Sequence, residues 1–234
     1  MSTPTICQVF QLGLLPYADA WALQKRLAAQ RAADEIPDTL LLLEHPHIYT
    51  LGSSGHDENI LLSSAELRER RIDVQRVDRG GDVTYHGQGQ LVGYPIFKLP
   101  SQVGSLHADV ISYVRAIEQT IIDALQHFDI EGWQYSGLTG VWTGEKDAPA
   151  KICAIGVKVT TKRVTQHGFA LNVNTDLSYF EGIIPCGIRD KAVTSMQELL
   201  DASLNMTAVS QVVIESFASH FDRRVVMADP TSVA

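Results

Sequence analysis

The sequence predicts an α+β (α/β) fold in which a mixed β-sheet is packed with helices, and three observations carry that expectation. Short apolar and β-branched runs cluster after a first helix. Two long segments with helical spacing lie between and after those runs. No strict strand–helix–strand alternation and no internal repeat is present. With 234 residues, 45% of them apolar and 20% charged, the chain is long enough to bury one full core, so residues 1–234 are expected to form a single domain.

Taken in order, Cys7 lies in an apolar, strand-like N-terminal segment and is expected to be buried. Pro16 opens a helix over 17–31, where Ala, Leu, Gln, Lys and Arg dominate. The run 39–44 and the β-branched and aromatic run 48–51 read as strands, with a turn at His45-Pro46-His47 and a loop at 52–55. Leu106, Val110, Val114, Ile117, Ile121, Leu125 and Phe128 recur at steps of three and four, which predicts a helix over 106–128. Strands are expected at 91–99, 140–143, 151–159 and 164–173. Ser195-Met196-Gln197-Glu198 has the spacing of a capping box, and Val209, Val212, Val213 and Phe217 place a last helix over 207–221. Beyond Val226 the tail is expected to fray.

Composition narrows the function classes. A net charge of −8 disfavours general nucleic-acid binding, which draws its affinity from neutralising phosphates. The longest apolar runs fall far short of a membrane span, and residues 1–6 lack the features of a signal or transit peptide, so a cytoplasmic location without membrane association is expected. Three cysteines without a CxxC argue against a structural disulfide framework and leave three separate thiols.

Two segments stand out chemically. In Arg79-Gly80-Gly81-Asp82-Val83-Thr84-Tyr85-His86-Gly87-Gln88-Gly89-Gln90-Leu91 four glycines allow close backbone approach to a ligand, beside polar handles. It lacks the Gly-Lys-Ser/Thr of a P-loop and misses the dinucleotide GxGxxG spacing, and an irregular hairpin is the plainer reading. The second is Pro185-Cys186-Gly187, a thiol in a loop context where a nearby cation would make it nucleophilic. Lys151 opens an apolar strand, and strict alternation would place Cys153 on its face, so spacing alone nominates Cys153 as its partner. His45 and His47 flank a proline with no adjacent carboxylate or thiol, a poor closed metal site, and no metal is expected. His86 and His167 are each either an acid–base group or a structural histidine.

Glu44-His45-Pro46, Tyr49-Thr50-Leu51-Gly52, 79–94, Thr139-Gly140-Val141-Trp142, 151–157, His167-Gly168-Phe169-Ala170-Leu171-Asn172-Val173-Asn174, Pro185-Cys186-Gly187-Ile188 and Val193-Thr194-Ser195 together resemble the octanoyltransferases of lipoate biosynthesis. The resemblance covers most of the chain from Pro37 to Leu200 and implies a fold like the catalytic domain of biotin and lipoate protein ligases. It further implies that Cys186 carries an octanoyl thioester and that Lys151 is its paired cation and proton carrier. By the same resemblance Arg79, Gly80, Gly81, Asp82, Val83, Thr84, Tyr85, His86, Ala154, Ile155, Gly156, Gly168, Phe169 and Ala170 wall the acyl pocket. The implied donor is octanoyl-acyl carrier protein, and the implied acceptors are lipoyl domains of 2-oxoacid dehydrogenase complexes and the glycine cleavage H protein; no cofactor is implied. Family members usually carry proline where Gln88 and His47 stand, and a small residue where Cys153 stands. The competing classes are an ATP-dependent lipoate ligase, which would not need Cys186, and a silent acyl- or carrier-binding module. The run 151–191 holds six basic residues (Lys151, Lys158, Lys162, Arg163, Arg189, Lys191) against three acidic (Asp176, Glu181, Asp190), a surplus suited to an acidic carrier.

Overall fold

The computed structural model describes residues 5–101, 108–184 and 192–233. Its strands are β1 (Thr5–Leu14), β2 (Asp38–Glu44), β3 (Ile48–Leu51), β4 (Asp73–Arg76), β5 (Val83–His86), β6 (Gln90–Ile96), β7 (Trp133–Tyr135), β8 (Leu138–Glu145), β9 (Ala148–Val159), β10 (Thr165–Asn172), β11 (Ala192–Val193) and β12 (Arg223–Met227). The helices are α1 (Tyr17–Ala32), α2 (Ser64–Glu69), α3 (Val110–Gln126), α4 (Met196–Leu200) and α5 (Met206–His220). Among the described residues a nine-stranded sheet runs in the order β12-β1-β2-β6-β10-β9-β8-β7, with β11 added beside β9. It is mixed: β12–β1, β1–β2 and β11–β9 are parallel, and the remaining pairs are antiparallel. A second sheet, β4-β3-β5, stands apart from it.

Each face of the large sheet buries a different helix layer, because its strands alternate. Leu40, Leu42, Leu91, Phe169 and Leu171 face α3 and α5, where Ile117, Ile121, Val213 and Phe217 close the main core. Leu41, Leu43, Val92, Tyr94 and Ala170 face α1 through Ala20, Leu23 and Leu27. The small sheet packs Tyr49, Leu51, Val83 and Tyr85 against Ile72 and Ile183. Among the described residues no helix is long and apolar enough to cross a membrane.

Most expected elements are present within a few residues, and the exceptions have local causes. The helix expected from Leu106 begins at Val110, where the Asp109 side chain accepts the Ser112 N–H at 2.9 Å; Leu106 itself lies outside the described residues. Ser195 caps α4 through the Glu198 N–H, but the Glu198 carboxylate accepts the Thr194 hydroxyl, so only half of the capping box forms. The tail does not fray. Ala228 N–H donates to Val9 O at 2.9 Å, the Arg26 guanidinium bonds Val233 O, and Val233 is buried. Cys7 is buried as expected, and burial pushes its thiol up to about 12.

Candidate active site

The site grows out of an irregularity in β9. Val141 pairs with Cys153, whereas Trp142 pairs with Lys151, so one step on β8 spans two on β9. Such a bulge breaks strand alternation. Ile152 and Cys153 both enter the main core, and Lys151 goes with Trp142 to the opposite face, its Nζ 4.7 Å from the indole centroid. The expectation that Cys153 shares a face with Lys151 is thereby overturned, because the extra residue shifts the period by one. Cys153 has no exposed surface, and burial raises its thiol far above the usual range.

Past the bulge, Ala154 pairs with Ala170 and Gly156 with Gly168, which leaves a strip of small residues on the Lys151 face. A cavity of about 450 Å³ lies over this strip, with Lys151 and Val157 both in its wall. Along an extended strand those two residues are roughly 20 Å apart. Leu138, Val110, Val114, Ile155, Phe169 and Val193 add apolar lining. A narrow, mostly apolar trough with a cation at one end suits an acyl chain whose reactive carbonyl lies beside the cation.

The glycine-rich segment closes the other end. Gly80 N–H donates to Val157 O at 2.9 Å, and a Cβ on Gly156 would stand 2.9 Å from Gly80 O and 3.1 Å from Arg79 Cδ. Only glycine at 156 permits that approach, and Gly81, at φ +90°, supplies the turn. Ser53 N–H to Arg79 O and Ser54 N–H to Gly81 O hold the loop from the side of the small sheet. Arg79 Nη2 donates to Thr50 O at 2.7 Å and to Thr50 Oγ1 at 2.9 Å, so the guanidinium is built into the wall.

Polar side chains behind the trough form two connected sets. His86 Nδ1 donates to Gln90 Oε1 at 2.8 Å, Gln90 Nε2 to Asn172 Oδ1 at 2.9 Å, and Asn172 Nδ2 to Thr194 O at 3.0 Å. Thr194 N–H in turn donates to Lys151 O at 3.0 Å, which ties the glycine loop to the strand that bears the lysine. In the other set His167 Nε2 donates to Asp78 Oδ1 at 2.8 Å, and Tyr17 hydroxyl lies 3.3 Å from His167 Nδ1. Burial raises the Asp78 carboxyl, but hydrogen bonds from Lys158 and His167 outweigh it and hold the group at about 2. Burial lowers His86 well below its usual range and lowers His167 against the pull of Asp78, so both rings sit neutral at pH 7. His45 donates from Nδ1 to Leu15 O and accepts from Tyr94 hydroxyl, while His47 bonds Tyr85 hydroxyl, so the two rings flanking Pro46 point to different partners.

Of the residues singled out in the sequence, Arg79, Gly80, Gly81, Asp82, Val83, Thr84, His86, Lys151, Ala154, Ile155, Gly156, Gly168, Phe169 and Ala170 line this one cavity. Tyr85 does not. Alternation along β5 turns its ring into the small core, where it stacks on Tyr179 at 5.1 Å. Cys186 lies outside the described residues, as do Arg189 and Lys191. Lys158 spends its charge on Asp78, an acid outside the 151–191 run, so the basic surplus there is smaller than the count suggested. Tyr17, Tyr94, Gln90 and Asn172 also line the cavity. Gln90 and Asn172 stood within the quoted motifs, whereas Tyr17 had no signal beyond the start of a helix.

Residues 16–218 match the family described as the lipoyl protein ligase A/B catalytic domain. The octanoyltransferase of Chloroflexus aggregans is 50% identical over 220 residues, covering 94% of this chain and 97% of that protein. The octanoyltransferase of Rubrobacter xylanophilus is 45% identical over 94% of this chain and 93% of its own length. Among solved structures, the archaeal bipartite lipoate protein ligase of Thermoplasma acidophilum superposes with a TM-score of 0.73 at 15% identity, over 98% of this chain and 90% of that one. Lipoate-protein ligase A bound with ATP gives 0.73 at 15% identity, over 97% and 92%. At such low identity the two superpositions speak for the fold alone.

Proposed function

This chain belongs to the lipoyl protein ligase A/B catalytic-domain family and is an acyltransferase that moves octanoyl groups in lipoate biosynthesis; we propose that it does so through a thioester on Cys186. A lipoyl domain is the acceptor class. The donor in this reading is octanoyl-acyl carrier protein, and the acceptors are the lipoyl domains of 2-oxoacid dehydrogenase complexes and the glycine cleavage H protein. The chain acts as one catalytic domain: the family match spans 16–218, and the first and last strands pair in the same sheet. A cytoplasmic setting fits thiol chemistry, since a reducing compartment keeps the nucleophile free.

The observation that carries the reading is the position of Lys151. Its side chain enters the apolar trough at the point where β11, the strand that follows the Cys186 segment, pairs Val193 with Lys151. The other two thiols, Cys7 and Cys153, are buried and raised, which supports Cys186 as the nucleophile in this reading. In the first half-reaction the Cys186 thiolate attacks the octanoyl carbonyl, the bond to the carrier sulfur breaks, and the Lys151 ammonium gives its proton to the departing thiolate. In the second the lipoyl-lysine amine attacks the acyl-enzyme, the Cys186 sulfur leaves, and Lys151 takes the proton that the new amide sheds. Because the donor is already a thioester, the route needs neither ATP nor a metal.

Intact-mass analysis after mixing with octanoyl-acyl carrier protein tests the assignment. Cys153→Ala gains one octanoyl group and passes it to a lipoyl domain, while Cys186→Ala gains none and transfers nothing. Acyl retained on Cys186→Ala and lost from Cys153→Ala would sink the proposal.

A further inference from the structure

Glu118 has no part in the chemistry above, yet it is a carboxylate with no exposed surface, set in α3 against the sheet. Taking such a group out of water is unfavourable unless hydrogen bonds offset it. Two do. Glu118 Oε2 accepts from Arg115 Nη1 at 2.6 Å, and Oε1 accepts the backbone N–H of Gly140 at 2.9 Å.

Gly140 is an unusual place to anchor. It lies in β8 between two register shifts, one toward β7 between Gln134 and Tyr135, the other toward β9 between Val141 and Trp142. Its φ is +121°, and a Cβ there would meet Cys153 O at 2.6 Å and Lys151 Cε at 3.4 Å. The lysine stem therefore runs directly along the glycine that Glu118 holds. The same bulge that sends Cys153 into the core sends Lys151 into the cavity.

We infer that Glu118 is a positioning residue for Lys151: by holding Gly140 it fixes the β8–β9 bulge, and so sets the direction in which the lysine enters the acyl trough. The inference rests on the role assigned to Lys151 above. A carboxylate that merely tied α3 to the sheet would affect how much protein folds but not how fast folded protein works. One that aims Lys151 affects the proton-transfer steps and leaves binding of the acyl carrier largely alone.

The test is a double-mutant cycle on the full chain, with octanoyl-acyl carrier protein and an apo lipoyl domain as substrates. Glu118→Ala is expected to lower kcat roughly tenfold to a hundredfold, with KM for the carrier within about twofold. Glu118→Gln keeps an acceptor for Gly140 and restores most of the lost kcat. In Lys151→Met, adding Glu118→Ala produces little further loss. If Glu118→Ala does not fold, Glu118→Asp, which withdraws the carboxylate by one methylene, carries the same cycle with a smaller drop. Wild-type kcat in folded Glu118→Ala, a Gln variant as slow as the Ala variant, or losses that multiply with Lys151→Met would each overturn the inference. If Lys151→Met alone transfers octanoyl at the wild-type rate, the premise fails and the inference falls with it.

Discussion

At the scale of single residues, the site depends on where one lysine points and on which thiol it serves. If the Lys151 ammonium stabilises the Cys186 thiolate, the free enzyme should alkylate at Cys186 well below the ordinary cysteine range of about 8.5. Lys151→Met keeps an apolar stem over Trp142 but deletes the charge, so the pH midpoint of Cys186 alkylation is expected to rise toward that value. An unchanged profile, read by mass spectrometry of iodoacetamide-treated protein, would break the pairing. The lysine was legible in the sequence as a strand residue within a family pattern, although β9 opens three residues before it, at Ala148. Its face was not, because alternation assumes a regular ladder and a bulge leaves no mark in a run such as Lys151-Ile152-Cys153. Tyr85 shows the converse: it stands in the same motif as His86, and plain alternation along β5 removes its ring from the cavity.

At the scale of elements, the helices and buried strands declared themselves through periodicity, and the short exposed pieces did not. β4 (Asp-Val-Gln-Arg) and β7 (Trp-Gln-Tyr) are too brief and too exposed to show a pattern, and β5 lay inside a glycine-rich stretch that reads as an irregular hairpin, whereas β5 pairs with β3 and not with β6. Position at the terminus also misled, because the tail beyond Val226 is packed rather than frayed. Pro230–Val233 forms a 3₁₀ turn that docks on β1 and α1, held by the Ala228 and Arg26 hydrogen bonds and by the buried Val233 side chain. Deleting 228–234 removes all three and is expected to lower Tm by about 3–6 °C, the effect of one to two kcal/mol in a chain of this size. Octanoyl transfer at 25 °C should persist, because β9, which bears Lys151, lies four strands from β1 in the sheet order. Unchanged melting would mean that the tail contributes nothing to the fold.

At the scale of the whole molecule, buried histidines link stability to pH. Burial lowers His45 to about 4 and lowers His86 and His167 as well, so the folded chain binds fewer protons than the unfolded one between about pH 4 and 6.5. Stability is therefore greatest above pH 6.5 and is lost as pH falls through that window; His45 alone contributes about 3 kcal/mol. The urea midpoint should drop clearly from pH 7.5 to pH 5, and a flat profile would contradict the burial of neutral rings. The far edge of the sheet is fastened by Asp38, which accepts from Arg31 Nε at 2.7 Å and from Arg223 Nε at 2.9 Å, joining α1, β2 and β12. The parallel pairing of β1 with β12 joins two strands that lie more than two hundred residues apart, the first and the last of the described strands. Until Arg223 to Met227 have been synthesised, the outer hydrogen-bonding edge of β1 has no partner, and nascent or truncated chains present it as a template for aggregation. Synthesis of β12 is thus the step that seals this border, so premature termination upstream of it endangers solubility even though every cavity-lining residue has already been made.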